Sequence, residues 1–434
     1  MSKPGSLAFV PPVVAGRLAR FATRLRGGGS AFPGLVAQKV APTFISDVMS
    51  QLPYGAVVVL GSNGKSTTTN ILTAIVREHG LKVFSNPSGA NMPQGIASAL
   101  LADTSLTGKL DADIAILEVD EAYGQLICRQ VKPRSAVILN LVVDQIYRFG
   151  EPDRVAGMFR DILGEVSDYV ALNRDDNFLA NLGTTIENEG RLAIDYFGVD
   201  AEVLAAAPHG QVSATDYAGG KADPSAAPRH VVAEVVAASG YDATISFEGV
   251  EHAVRMPARG LHYAVDIAAA FTLASKTLGD KFDIAKAIHA VQTTKTVYGR
   301  GEILTVDGVE IEILMLKNLA SLQLNLDSLD RVPDSVLFAY DDSSYDPSWL
   351  YTADLSKLDY VDVISGPKGA FIALRLAYEG KGYGVIESDT TKAVQRMLDG
   401  PKPKSGRHTF FLDYDQMLLT RKYLGYKDLE AGAA

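Results

Sequence analysis

The apolar run Ala56-Val57-Val58-Val59-Leu60 passes without a break into Gly61-Ser62-Asn63-Gly64-Lys65-Ser66-Thr67, and this junction constrains the chain more than any other feature. A short continuous apolar run suits a strand buried on both faces, as in the middle of a parallel sheet. The segment 66–79 then places Ile71, Leu72, Ile75 and Val76 at helical spacing and stops at Gly80. A strand that turns through small residues into a helix makes a phosphate-binding loop. Backbone N–H groups across Gly61, Ser62, Asn63 and Gly64 can approach phosphate oxygens, and the helix N-terminus adds a favourable partial charge. Lys65 would neutralise the β- and γ-phosphates and the Ser66 hydroxyl would hold Mg²⁺. The longer Walker spacing would put a glycine at position 59, where Val59 stands.

The rest of the chain extends this unit. Strand candidates at 82–85, 113–119, 136–142 and 168–172 are mostly separated by helical or irregular segments, which predicts a parallel α/β sheet. Polar clusters fall at the carboxyl ends of these runs: GSNGKS, NPSGANM, EVDE, DQ and NRDD. Ligands of open α/β sheets bind at that edge, so the clusters predict one site. The stretch 203–230 is rich in Ala, Gly and Pro and reads as a loop or insertion, and 261–278 as a helix. Near Tyr298 a second, smaller α/β unit begins. Its first element is a hairpin, 303–306 and 309–315, turned by Asp307-Gly308, a pair suited to the positive φ angles of a type I′ turn. Strands at 335–340, 360–364, 383–387 and 408–412 then alternate with helices near 367–379, 390–398 and 414–424.

The length of 434 residues fits two or three domains at roughly 100–200 residues each. Acidic residues outnumber basic ones by 51 to 41, which argues against a nucleic-acid binder. One cysteine, Cys128 in LICRQV, excludes a disulfide framework and a Cys-cluster zinc site and fits a reducing cytoplasm; it reads as a packing residue. No apolar run approaches the ~18–20 residues that span a bilayer, so a soluble, intracellular protein is expected. Residues 13–26 place Arg17, Arg20, Arg24 and Arg26 along a short helix with Leu18, Phe21 and Leu25. Such a helix either packs on its own domain with solvated arginines or lies on an anionic membrane surface. GGGS at 27–30 marks a break after it.

Glu118 and Asp120 stand at the end of the third strand, where a carboxylate can meet nucleotide-bound Mg²⁺. Asp144-Gln145 and Asn173-Asp175-Asp176 are common turn formers. The histidines show no metal-ligand spacing, and Trp349 serves either the core or an interface. These residues lead to a Mg²⁺-ATP enzyme with its nucleotide between two α/β units, and leave open what receives the γ-phosphate.

The segment GSNGKSTTTN resembles the phosphate loop of the Mur ligases and folylpolyglutamate synthetases. Within that family the chain resembles the branch that amidates lipid II together with a separate glutaminase. The likeness includes Ala19 to Lys39, NPSGANMPQGIASAL, LEVDEA, DQIYRFGE, LNRDD, YGRGE, LKN at 316–318 and the element from Asp346 to Trp349. The resemblance implies a parallel-sheet central P-loop ATPase domain over 54–297 and a smaller Rossmann-like α/β domain over 298–434, after a helical extension over 1–53. It also implies a ligase that makes an acyl phosphate and lets ammonia displace the phosphate.

By the same resemblance Lys65 and Ser66 bind the triphosphate and Mg²⁺ with Thr67 adjoining, and Glu118 holds the magnesium. Asn173 and Asp176 lie near the nucleotide, and Arg300 reaches its phosphates. Asp346 crosses to a GatD-type glutaminase subunit to orient its histidine. The substrate, lipid II, would be met at the inner membrane face, with no nucleic acid involved.

The chain departs from the family at several points. Gln145 replaces a metal-binding histidine, and Tyr263 and Asp266 replace asparagines. Leu319-Ala320-Ser321 follows Lys317-Asn318 where Pro-x-Gly is usual. With one cysteine no zinc ribbon is expected, and the 203–230 loop would take its place. Two alternatives stay open: another amide ligase of the family, or a nucleotide-binding scaffold subunit without catalysis.

Overall fold

The computed structural model describes residues 7–26, 31–86, 90–142, 152–207, 209, 229, 231–341 and 347–426. Its first sheet is built around β1 (Ala56–Leu60), with β2 (Val83–Ser85), β3 (Ile114–Glu118), β4 (Ser135–Ile138), β5 (Tyr169–Asn173) and β6 (Ala193–Val199). The order is β2-β3-β1-β4-β5-β6, all parallel. Every residue of β1, β3, β4 and β5 is buried, the reason these runs read as continuously apolar. Helix Leu261–Leu278 covers one face with Ile267, Phe271 and Leu273; Phe44, Ile96, Leu100 and Phe159 fill the other.

Three further strands, β7 (Val231–Ser239), β8 (Asp242–Phe247) and β9 (Val250–Arg255), extend this sheet, β7 parallel to β6 and the last two antiparallel. None of β6 to β9 was expected. They are half-exposed strands in which alanines and single charges such as Asp195 and Glu234 blur the period-two alternation. One local signal was present: Glu248 and Gly249, with φ of 49° and 81°, form the β8–β9 turn. The fourth strand also differs from expectation. It ends at Ile138 rather than 142, because Leu139–Val142 leave the ladder to bond the phosphate loop. The stretch expected as a loop opens with a helix, Ala201–Ala206, capped by Asp200; nearly all of 207–230, and all of 27–30, lie outside the described residues.

The second sheet is β10 (Arg300–Val306), β11 (Val309–Met315), β12 (Val336–Ala339), β13 (Tyr360–Ser365), β14 (Gly382–Glu387) and β15 (Arg407–Leu412), in the order β10-β11-β15-β12-β13-β14. The β10–β11 hairpin turns at Asp307 (φ 49°) and Gly308 (φ 77°), as the sequence predicts; the other pairings are parallel. The trio α1 (Val10–Arg26), α2 (Phe32–Val40) and α3 (Phe44–Met49) precedes β1. Val13 of α1 is fully buried, and Arg17 donates to the carbonyls of Leu101 (3.3 Å) and Thr104 (2.5 Å), so this helix packs on its own domain.

Candidate active site

The loop 61–64 leaves β1 at the topological switch between β3 and β4 and enters α4 (Lys65–Glu78). Gly64 has φ +85°, and a Cβ there would lie 2.4 Å from Asp266 Oδ1, so glycine is required twice over. A brace from the 139–142 segment fixes the loop. Ser62 N donates to Asn140 O (3.1 Å), Asn63 N to Asn140 Oδ1 (2.9 Å), and Val142 N to Ser62 Oγ (3.0 Å). Asp176 holds that brace from behind: its carboxylate accepts from Leu141 N (2.7 Å) and caps the next helix through Leu179 N (3.1 Å). Asn173 donates to Leu139 O (3.0 Å) and lines the cavity. Of the two residues expected near the nucleotide, Asn173 faces the cavity and Asp176 shapes its wall.

Lys65 Nζ donates to Gly61 O and to Glu121 Oε1, the latter at 2.8 Å and nearly buried. Burial opposes the lysine's charge, but Glu121 and, more weakly, Glu118 and Asp120 raise its pKa above the usual range, so it is an ammonium. Ser66 Oγ donates to Glu118 Oε2 at 2.7 Å. Asn86 fixes the backbone at that strand end: it accepts from Glu118 N (3.0 Å) and donates to Glu118 O (2.9 Å). Asp120 caps α6 (Glu121–Val131) through Ala122 N. Glu121, one residue on, is the partner sequence reading missed; the acidic cluster pointed to it without ranking its members. No group of three or more Asp, Glu, His or Cys side chains is placed to hold a metal ion by itself among the described residues. Magnesium commonly takes one or two carboxylates together with nucleotide phosphates, and the Ser66–Glu118 pair fits that donor set.

The second sheet closes the cavity. Arg300, at the start of β10, is half-buried in its lining, close to Glu118 and Asp266, and its buried Nε has no hydrogen-bond partner. Lys317 Nζ donates to Ser62 O at 2.6 Å, and Asn318 Nδ2 to Asn63 Oδ1 at 3.4 Å, so the LKN element reaches the phosphate loop itself. The departure at 319–321 has a structural meaning. Asn318 Oδ1 accepts from Ser321 N (2.8 Å), while Ser321 Oγ accepts from the N–H groups of Asn318 (3.0 Å) and Lys317 (2.8 Å). This capping box seats Lys317 and Asn318 without the usual Pro-x-Gly.

Tyr263 and Asp266 both line the cavity, at the first turns of helix Leu261–Leu278. The Tyr263 hydroxyl is buried without a partner. Burial pushes the Asp266 carboxyl up to about 8, against the lowering influence of Thr68 and Arg300, so it is neutral at pH 7. His262, beside them, is pushed down to about 4 by burial and is neutral too. Cys128 is fully buried, with its thiol raised to about 12, and the half-buried Trp349 packs edge-on against Tyr340 at 5.7 Å, at the margin of the second sheet's core. Asp144, Gln145 and Asp346 lie outside the described residues.

Residues 59–274 match the Mur ligase middle domain. The chain is 28% identical to the MurT subunit of the lipid II isoglutaminyl synthase (glutamine-hydrolyzing) of Streptococcus pneumoniae, over 96% of this chain and 97% of that protein. It is 31% identical to the MurT subunit of Staphylococcus aureus strain COL over 43% of this chain and 40% of that one. Among solved structures it is similar to MurF ligase from Thermotoga maritima in complex with ADP, with a TM-score of 0.62 at 18% identity, covering 89% of this chain and 84% of that chain. It is also similar to E. coli FolC in complex with DHPP and ADP, with a TM-score of 0.59 at 15% identity, covering 88% of this chain and 92% of that chain.

Proposed function

We propose that the chain is a Mur ligase, on its match to the middle domain of that family and its likeness to a MurT subunit, and that it is the synthetase subunit of a lipid II isoglutaminyl synthase, amidating the α-carboxyl of D-isoglutamate in the stem peptide. The likeness to a MurT subunit along the full length of both proteins supports this substrate over the other amide ligases of the family. The observation that carries the chemistry is the convergence of Lys65, Lys317 and the partly unpartnered Arg300 on one phosphate loop, from two different sheets. The working units are an ATP-binding one over 54–297 and a smaller one over 298–434, behind a helical extension over 1–53.

ATP binds with its phosphates over residues 61–67. Lys65 exchanges part of its contact with Glu121 for phosphate oxygens, Arg300 and Lys317 meet them from the other sheet, and Asn173 lines the nucleotide side. An oxygen of the substrate carboxylate attacks the γ-phosphorus as the bond to the ADP oxygen breaks, giving an acyl phosphate. Ammonia attacks the acyl carbon, phosphate leaves with the C–O electron pair, and the nitrogen loses a proton to become the amide. Glu118 and Ser66 would hold Mg²⁺, which supplies charge neutralisation on the phosphates. The protein's share is positioning and fixed positive charge where negative charge develops.

The ammonia comes from a GatD-type glutaminase subunit, whose histidine Asp346 orients across the interface, by the logic in which a third group fixes an imidazole tautomer. The substrate is lipid-linked, so the complex works at the inner face of the membrane. The test gives the chain and its glutaminase Mg-ATP, lipid II and either glutamine or an ammonium salt, and reads the stem peptide by mass spectrometry. One carboxyl should become an amide with either nitrogen source. Asp346→Asn should lose the glutamine-driven reaction and keep the ammonium-driven one; equal loss of both would remove Asp346 from the interface. No amide under any condition would overturn the reading.

A further inference from the structure

The first 46 residues contain Lys3, Arg17, Arg20, Arg24, Arg26 and Lys39 but no Asp or Glu, in a chain whose net charge is −10. The helices formed there are apolar on more than one side. α1 turns Val13 and Gly16 inward, Gly16 against Leu101 of α5 (Pro93–Asp103), and Arg17 pins the same face to the end of α5. Its opposite side presents Pro11, Val14, Leu18 and Phe21, spaced three or four residues apart, with Leu18 and Phe21 each 65% exposed. α2 repeats the arrangement: Pro33, Gly34 and Ala37 are buried, while Phe32, Leu35 and Val40 face outward.

A helix already anchored by its inner face gains nothing for its own fold from a second apolar stripe. Such a stripe on a monomer's surface marks something that covers it. Three observations choose the occupant. The segment is uniformly basic, which suits an anionic surface and repels no part of it. No described helix is long and apolar enough to cross a membrane, so α1 would lie on a bilayer rather than span it. Finally, α2 packs on α5, the helix opening from the loop that Asn86 ties to Glu118, so this face is one helix removed from the candidate site. We propose that the outward sides of α1 and α2 form a peripheral docking surface for an anionic lipid bilayer, with Leu18 and Phe21 entering the headgroup–acyl boundary. The proposal deepens the amidation reading by naming how the enzyme meets a lipid-linked substrate, and rests on that reading only for this purpose.

The test sediments the full chain, with its glutaminase subunit, on vesicles of equal phosphatidylglycerol and phosphatidylcholine and on phosphatidylcholine alone. Binding is expected on the anionic vesicles, with loss at high salt. Leu18→Asp with Phe21→Asp should reduce the partition coefficient at least tenfold, and Phe32→Asp with Leu35→Asp on α2 should do the same independently. Both variants should keep the native circular dichroism spectrum and amidate a short-chain, water-soluble lipid II analogue at the unsubstituted rate. Absence of binding, or equal binding by both variants, overturns the proposal. So does a concentration-dependent dimer of the unsubstituted chain that the variants lose, since a second copy would then cover the face. Failure of the analogue reaction in every protein, with vesicle binding as described, would count against the amidation reading and leave the docking surface standing.

Discussion

Lys65 is held between Gly61 O and Glu121, a nearly dry ion pair that phosphate must rearrange. Lys65→Met should lower ATP turnover by about 10²–10³-fold, the scale of one lost charge-stabilising donor. It should also cost roughly 3 kcal/mol of stability, because Glu121 is left buried and unpaired. Adding Glu121→Gln should restore the thermal midpoint and not the turnover; recovery of turnover would remove Lys65 from phosphate binding. Asp266 tests the electrostatics. Burial raises its carboxyl from 3.8 to about 8, so the folded protein holds a proton there that the unfolded chain releases near pH 4. Its contribution to stability is therefore complete below about pH 4 and lost as pH rises through about 8. Asp266→Asn copies the neutral acid. The variant should turn over ATP at pH 7, and urea midpoints should shift in its favour as pH rises from 5 to 9; parallel midpoint curves would mean that Asp266 is ionised throughout. A sequence shows that Asp266 is acidic but not that it is buried beside Arg300, and the second fact decides its charge.

At the scale of elements, the start of helix Leu319–Asp327 seats Lys317, which reaches from the smaller sheet to the phosphate loop. Its capping box binds Ser321 to the N–H groups of both Lys317 and Asn318. Ser321→Ala should therefore cost about 1 kcal/mol, as lost caps do, and raise the KM for ATP several-fold through the displaced Lys317. Calorimetry and steady-state kinetics check the two effects separately; a stability loss with unchanged KM would mean that Lys317 keeps its place unaided. Read from sequence, Leu319-Ala320-Ser321 is a departure from the family pattern. Only the folded helix start shows that serine at the third helical position does the seating. The buried strands were legible because two covered faces demand unbroken apolar runs. The half-exposed strands β6 to β9 were not, because one solvated face admits alanine and charge in no fixed order.

Across the whole molecule the two sheets are tied by a charged cluster beside the cavity. Arg259, leading into helix Leu261–Leu278, pairs with Glu312 of β11 at 2.5 Å and with Asp330 at 3.2 Å, and Arg407 of β15 lies 3.8 Å from Glu312. Glu312 is 1% exposed, so Glu312→Ala leaves the largely buried Arg259 with only the exposed Asp330 as counter-charge, a cost of about 3 kcal/mol. The loss falls between the units rather than inside one. Thermal unfolding of this variant should broaden or separate into two transitions, and ATP should protect it less than the unsubstituted chain. A single, unshifted transition would show that the cluster does not couple the sheets.

The sequence by itself determined what depends on neighbours along the chain: the strand-to-loop-to-helix junction at 56–67, the Asp307-Gly308 hairpin, and the alternation that makes both units α/β. Each follows from burial pattern or backbone conformation, which a few consecutive residues dictate. It also brought Lys65, Ser66 and Glu118 forward, because small residues and a strand-end carboxylate have a chemistry of their own. Only the tertiary structure decided the pairings between distant segments: Glu121 rather than Asp120 for Lys65, Lys317 over Ser62, Asp176 behind the 139–142 brace. Those choices depend on which strands become neighbours and how deeply a side chain is dried. Charge, proton occupancy and hydrogen-bond partner all follow from that depth, and no local spacing encodes it.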